Sequence, residues 1–181
     1  FNNKGGVGKT TVIYHLAWML HELGYRVLAG DLDPQSNLTA AFLDEERLVE
    51  LWPDDEDHAL TILGAVRPLV DRLGDIASPH LEQVDETLWL LPGDLSLTTF
   101  EDRQAAAWPM CLSDNVADAA DGFRVISSYW RLLKTGADRE RADVVLIDVG
   151  PNHGPYDHVE SHGHQHAAEH GGVQNDSLAI G

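Results

Sequence analysis

The chain contains little cysteine and no long apolar run, and each shortage excludes a class of protein. Cys111 is the single cysteine among the 181 residues, so no internal disulfide can form, which is typical of a reducing compartment. No apolar segment approaches the roughly 20 residues that a membrane-spanning helix requires. A signal peptide is not recognisable either. These features predict a cytoplasmic protein that does not enter the membrane.

Positive charge is also scarce. The sequence has 12 Lys and Arg against 30 Asp and Glu, a net charge of −18, and neither Lys nor Arg occurs after Arg141. Because DNA affinity comes largely from basic side chains that neutralise phosphates, we expect contacts with DNA only through regions outside this chain. Residues 44–58 hold eight acidic residues and one Arg, and this stretch, broken by Pro53, is predicted to be a solvated loop.

What the chain does contain is a glycine-rich stretch at its start, K-G-G-V-G-K-T-T. Closely spaced glycines let successive backbone N–H groups converge on an anion, and a helix N-terminus after them adds partial positive charge. Lys9 is then suited to reach the β- and γ-phosphates of a nucleotide, and the Thr10 hydroxyl to ligate Mg²⁺. The predicted nucleotide-binding residues are Lys4, Gly5, Gly6, Val7, Gly8, Lys9, Thr10 and Thr11.

This stretch resembles the deviant Walker A box of the ParA/MinD (Soj-like) family of ATPases. A standard phosphate loop has glycine where this chain has Asn3, and the chain carries Lys4 immediately afterwards. The resemblance implies ATP and Mg²⁺ as cofactors and an ATP-dependent homodimer. It further implies that Lys4 reaches across the dimer to the partner's phosphates and acts in catalysis together with Lys9.

A second motif follows the predicted helix from Thr10 to Leu23. The short apolar run Val27–Gly30 is typical of a strand buried on both faces, and it leads into D-L-D-P-Q-S-N. Asp31 and Asp33 at the end of such a strand can share the water shell of a Mg²⁺ ion, although a capping Asp and a turn Asp–Pro would give the same pattern. The motif resembles the second box of the ParA branch. That resemblance implies that Asp33 orients the attacking water and that Asp31 supports the Mg²⁺ site.

A third motif is the strand Ala142–Asp148, in which apolar β-prone residues end in a carboxylate. This pattern is typical of a Walker B strand, whose Asp holds Mg²⁺ through water, so Asp148 joins Thr10 and Asp31 as a predicted metal-site residue. The family usually continues with Asp-x-Pro-Pro, and this chain departs from that pattern with D-V-G-P.

Between these motifs the pattern predicts alternating helices and a strand. Helices are expected over residues 36–43, 61–73, 96–107 and 115–133, with Pro68 kinking or ending the second one. A strand and its turn are expected over residues 87–94. The aromatic residues of the last helix, Phe123, Tyr129 and Trp130, are predicted to belong to the core.

The predicted fold is therefore α/β, a P-loop NTPase with a mostly parallel sheet flanked by helices and incomplete at both ends. Residues 1–152 form the predicted ATPase domain. Residues 153–181 hold six of the ten histidines and show no apolar periodicity, so we expect a disordered or aberrant tail. A metal site formed by His162, His164 and His166 is the alternative for this tail.

The predicted function is a ParA-like ATPase that dimerises on ATP and hydrolyses it slowly, in chromosome or plasmid partitioning or in cargo positioning. The resemblance implies a ParB-like partner that stimulates hydrolysis. Two alternatives remain open at this stage: a non-catalytic, marginally folded remnant, and an electron-transfer ATPase like the nitrogenase iron protein. The latter needs paired cysteine thiolates for its cluster, and this chain supplies one cysteine.

Overall fold

The fold is built on a mixed sheet with helices on both faces. The computed structural model of the chain describes residues 8–54 and 58–150. Four strands form the sheet within these residues, in the order β2-β3-β1-β4. Strand β1 pairs in parallel with both β3 and β4, and β2 pairs antiparallel with β3, so the predicted, mostly parallel α/β sheet is confirmed. The strands are β1 (Val27–Leu32), β2 (Glu82–Asp85), β3 (Leu88–Leu91) and β4 (Val144–Val149).

Helices fill the connections from β1 to β2 and from β3 to β4, as is usual where strands pair in parallel, whereas a two-residue turn joins the antiparallel β2 and β3. The α-helices are α1 (Lys9–Glu22), α2 (Asn37–Phe42), α3 (Glu45–Leu51), α4 (Ile62–Val70), α5 (Thr98–Ala107), α6 (Val116–Ile126) and α7 (Ser128–Glu140), and a 3-10 helix spans Pro109–Leu112. No helix in the described part of the chain has the length and apolar character needed to cross a bilayer.

The core lies on both sides of the central strand β1, whose side chains alternate between two helical layers. Val27 and Ala29 pack with residues of α1 and α2 on one face. On the other face a larger cluster joins β3 to α4, α5, α6 and α7. Gly30 lets α7 approach closely there, since a Cβ on Gly30 would lie 2.6 Å from Leu133 Cδ2. Asp31 follows the alternation and faces the α1 and α2 layer.

The predicted loop over residues 44–58 is wrong in part, because α3 occupies Glu45–Leu51. Asp44 caps this helix by accepting a 2.9 Å hydrogen bond from Arg47 N. The single basic side chain of the stretch is well placed, since the Arg47 guanidinium pairs with Glu50 and with Glu82 on β2. One arginine therefore links an acidic helix to the edge of the sheet. The short polar strand β2 was not predicted.

The predicted helix over residues 115–133 is also wrong in part, because the chain forms two helices there, which meet at Ser127 and continue to Glu140. Of the three aromatic residues predicted to belong to the core, only Tyr129 does. Tyr129 packs against the core with its ring centroid 5.4 Å from that of Phe100. Phe123 and Trp130 are 59% and 65% exposed, because each lies on the outer face of its helix.

Candidate functional site

The start of α1 carries four of the predicted nucleotide-binding residues, Gly8, Lys9, Thr10 and Thr11. Gly8 precedes the helix with φ 80°, a left-handed conformation that favours glycine, and it accepts a hydrogen bond from Val12 N at 2.9 Å. Lys9 and Thr10 form the first turn and are half-buried, whereas Thr11 is exposed. The predicted residues Lys4, Gly5, Gly6 and Val7 lie outside the described residues.

Asp148 on β4 is the point on which the predicted residues converge. Its side chain is buried, and burial raises the pKa of the Asp148 carboxyl. The nearby Thr10 hydroxyl lowers this pKa, the Asp33 carboxylate raises it, and the Lys9 ammonium lowers it. The structure thus brings together three separate parts of the sequence: Asp148 on β4, Asp33 in the loop after β1, and the adjacent Lys9 and Thr10 at the start of α1.

The two Asp148 oxygens are buried and accept no hydrogen bond of regular geometry from the described residues, although the Thr10 hydroxyl is near. A buried carboxylate without donors is costly unless a cation or ordered water satisfies it. Mg²⁺ commonly binds through one or two carboxylates and keeps several waters, so this donor set fits it. No cluster of three or more potential ligands that could hold a metal by themselves occurs among residues 8–54 and 58–150.

Asp33 lies immediately beyond β1 and is 6% exposed. Its Oδ1 accepts a hydrogen bond from Gln35 N at 2.9 Å, which fixes the carboxylate above the turn at Pro34. The end of β4 is close by, since a Cβ on Gly150 would lie 3.4 Å from Asp33 Oδ1. Asp33 therefore sits between the ends of two neighbouring parallel strands, where ligands bind in open α/β sheets.

Asp31 is fully buried at the end of β1 and accepts more hydrogen bonds than Asp33 or Asp148 does from the described residues. Oδ2 accepts hydrogen bonds from Thr39 Oγ1 at 2.7 Å and from Thr39 N at 2.8 Å. Oδ1 accepts a longer one, 3.3 Å, from Asp33 N. Burial raises the pKa of Asp31 to about 6, although the bonds from Thr39 and Asp33 oppose the rise and the Asp148 charge adds to it.

Sequence reasoning missed Thr39 and Gly93, which surround Asp31. Gly93 N donates to Thr39 Oγ1 at 2.8 Å, and a Cβ on Gly93 would lie 2.9 Å from Asp31 Cγ. Thr39 carries no signal in the periodicity of the short helix α2. The sequence predicts Gly93 only as part of the turn after β3, and its contact with Asp31 on β1 depends on the order of the strands. The predicted histidine site of the tail lies outside the described residues.

The fold and this convergence of a phosphate-loop helix on two acidic strand ends define a P-loop nucleotide-binding protein. The family model for the CobQ/CobB/MinD/ParA nucleotide binding domain matches residues 1–161. The chain belongs to this family, which confirms the ParA/MinD-type resemblance of its motifs.

Particular relatives agree with this assignment. The chromosome-partitioning ATPase Soj of Thermus thermophilus is 62% identical over 39 residues, which cover 22% of this chain and 16% of Soj. The solved structure of protein DIP2308 from Corynebacterium diphtheriae has a TM-score of 0.74 and 32% identity, covering 87% of this chain and 53% of that one. Cobyrinic acid a,c-diamide synthase from Mycobacterium smegmatis, solved with ADP and magnesium, has a TM-score of 0.52 and 28% identity, covering 86% and 51%. The chain spans about a third to a half of the length of the relatives that match most of it.

Proposed function

We propose that this chain is the ATP-binding and hydrolysing part of a ParA-type ATPase. The observation that carries the proposal is the gathering of Lys9, Thr10 and Asp33 around Asp148, a buried carboxylate whose oxygens accept no regular hydrogen bond from the described residues. This arrangement suits the binding of nucleotide phosphates together with a hydrated divalent cation. Membership of a family that includes partitioning ATPases supports the same reaction.

The residues divide into those that bind phosphate and those that face the cation. Residues Lys4 to Thr11 would hold the phosphates, with Lys9 placing its charge beside the β- and γ-phosphates. Thr10, Asp148 and Asp31 would hold Mg²⁺, the latter two through water. When bound, Mg²⁺ neutralises charge that develops on the phosphoryl oxygens. Lys4 would extend across a dimer to the partner's phosphates, as the deviant Walker A box implies.

Asp33 would hold the attacking water in line with the bond that breaks. The turn that fixes Asp33 keeps its carboxylate at the ends of β1 and β4, next to the group that Asp148 would hold. In the reaction a water oxygen forms a bond to the γ-phosphorus while the bond to the β–γ bridging oxygen breaks, giving ADP and phosphate. Such chemistry depends mainly on positioning and on charge stabilisation, and these buried, anchored side chains supply both.

In the cell we propose a cytoplasmic ATPase that dimerises on ATP, and whose slow hydrolysis times the partitioning of a chromosome or plasmid or the positioning of cargo. A ParB-like partner would stimulate turnover in the longer protein. DNA would bind through regions outside this chain, because the net charge of −18 repels it. No contact in the described residues favours the electron-transfer alternative, since the Cys111 thiol bonds to Ala107 O within its own segment.

The test is nucleotide binding and phosphate release by the purified full chain. Titration with a fluorescent ATP analogue, with Mg²⁺ and with EDTA, gives the affinity and its dependence on the cation. Slow release of phosphate from ATP in Mg²⁺ then measures turnover. We expect saturable binding that Mg²⁺ tightens. If the chain bound no nucleotide in Mg²⁺ and none in EDTA, the proposed function would be contradicted.

A further inference from the structure

Thr39 directs its hydroxyl and its backbone N–H into one contact region, around Asp31 and Gly93. Its hydroxyl donates to Asp31 Oδ2 at 2.7 Å and accepts from Gly93 N at 2.8 Å, and its backbone N–H donates to the same Asp31 oxygen at 2.8 Å. The side chain is fully buried. A hydroxyl that accepts from a backbone N–H through a lone pair still has its one proton to donate, and here the Gly93 bond helps to orient that proton toward Asp31.

Gly93 closes the other side of the Asp31 carboxylate. A Cβ on Gly93 would lie 2.9 Å from both Asp31 Cγ and Ser36 Oγ, which is too close for any other residue. Its carbonyl accepts a 3.1 Å hydrogen bond from Trp52 Nε1, which anchors the turn on its outer side. The turn after β3 therefore has a fixed position against the end of β1.

These contacts give the two carboxylate oxygens of Asp31 different hydrogen bonds. Oδ2 is occupied by both Thr39 donors, whereas Oδ1 accepts one longer bond, 3.3 Å, from Asp33 N. Oδ1 is thus the oxygen better able to accept a hydrogen bond from a cation's water. Asp148 is the register partner of Asp31 on β4, so the two carboxylates lie side by side.

We propose that Thr39 and Gly93 are positioning residues that fix Asp31 for the Mg²⁺–nucleotide complex. The proposal rests on the proposed function of the site and adds to it a supporting layer drawn from α2 and the turn after β3. Neither residue contacts the phosphates; each acts through the orientation of Asp31. Removing comparable outer partners of metal sites typically weakens metal affinity about 10- to 100-fold.

The experiment compares variants of the full chain by one ratio. This ratio is the Kd for a non-hydrolysable ATP analogue in EDTA divided by its Kd in Mg²⁺. Thr39→Val removes the hydroxyl and keeps the shape, and Thr39→Ser keeps the hydroxyl. Gly93→Ala keeps Thr39 intact and crowds Asp31. The matched controls are Thr99→Val, at an exposed hydroxyl bonded to Ser96 O, and Gly74→Ala, where a Cβ would lie 3.8 Å from Pro68 Cβ.

We expect Thr39→Val and Gly93→Ala to lower this ratio about tenfold or more, with the Kd in EDTA changed less than about twofold. Thr39→Ser and both controls should stay near wild type. A wild-type ratio in folded Thr39→Val and Gly93→Ala would overturn the proposal, and so would equal weakening in both buffers, which indicates a structural role. If Thr39→Val does not unfold cooperatively, Gly93→Ala decides by the same ratio. Failure of the wild type to bind nucleotide would instead contradict the proposed function.

Discussion

Asp31 on β1 and Asp148 on β4 are register partners in a parallel strand pair, and both side chains are buried. Their surroundings differ in one respect that bears on function. Asp31 receives two hydrogen bonds from Thr39, whereas the Asp148 oxygens receive none of regular geometry from the described residues. One carboxylate is therefore fixed by the protein, and its neighbour is left available for a bound cation.

The buried Asp31 predicts a dependence of stability on pH in the absence of Mg²⁺. Its pKa is raised from 3.8 to about 6, so the folded state binds the proton more tightly than the unfolded state. The contribution to stability is thus present below the unfolded pKa of 3.8 and is lost as pH rises to about 6. Asp31→Asn removes this loss. In urea unfolding, the free energy of unfolding of Asp31→Asn minus that of wild type should increase by about 2 kcal/mol between pH 4 and 6.5. A constant difference across this range would contradict the assignment.

Lys9 should be essential for nucleotide binding. We expect Lys9→Ala to abolish measurable binding of a fluorescent ATP analogue, because the ammonium that would neutralise the phosphates in the proposed site is lost. Lys134→Ala is the matched control, since Lys134 is exposed and pairs only with Asp138 in its own helix among the described residues. Unchanged affinity in Lys9→Ala would show that the phosphate loop is assigned wrongly.

Lys4 should act on the partner subunit. We expect Lys4→Ala to leave ATP binding by the monomer nearly intact and to remove both ATP-dependent dimerisation and turnover. The reason is its place before the double glycine, where a standard phosphate loop needs no charge. Sedimentation velocity with ATP and Mg²⁺ measures the dimer. A dimer as stable as that of wild type would rule out this role.

Ser36 predicts a stabilising substitution. It is fully buried with φ 51°, and its hydroxyl makes no hydrogen bond in the described structure. Ser36→Ala removes the unsatisfied hydroxyl, and Ser36→Gly also removes the left-handed strain. We expect the free energy of unfolding to rise in the order Ser, Ala, Gly, by about 1 kcal/mol in total. A glycine variant less stable than wild type would mean that Ser36 contributes packing or a bond that outweighs both costs.

The parts of the fold that were predictable from sequence are those with strong local signals. The apolar run ending at Asp148 forms β4, and the run before Asp31 forms β1. Both runs are short, β-prone and bounded by polar residues, so no long-range information was needed. Helix α3 was not predicted because its stabilising contacts are with residues distant in sequence. Its Arg47, for example, pairs with Glu82 on β2.

The contacts of Gly93 with Asp31 and Thr39 could not be predicted either, because they also join residues distant in sequence. Gly93 meets Asp31 because β3 lies beside β1 in the sheet, and strand order is a property of the whole chain. Phe123 and Trp130 were misplaced because aromatic content indicates burial on average, whereas the face of each helix decides it. Motifs therefore predict the residues that would contact a ligand, whereas the residues that pack around them, such as Gly93, depend on the topology of the sheet.

The most direct test of the account is single-turnover hydrolysis by Asp33→Ala, with dimerisation measured on the same samples. Asp33 should act only on the attacking water, so the variant should bind ATP with Mg²⁺ and accumulate the dimer. Its rate of phosphate release should fall at least about 100-fold. Asp138→Ala, at an exposed helix position, is the control. Turnover at the wild-type rate in Asp33→Ala would contradict the central claim and would move the water-positioning role to another residue, with Asp31 as the first candidate.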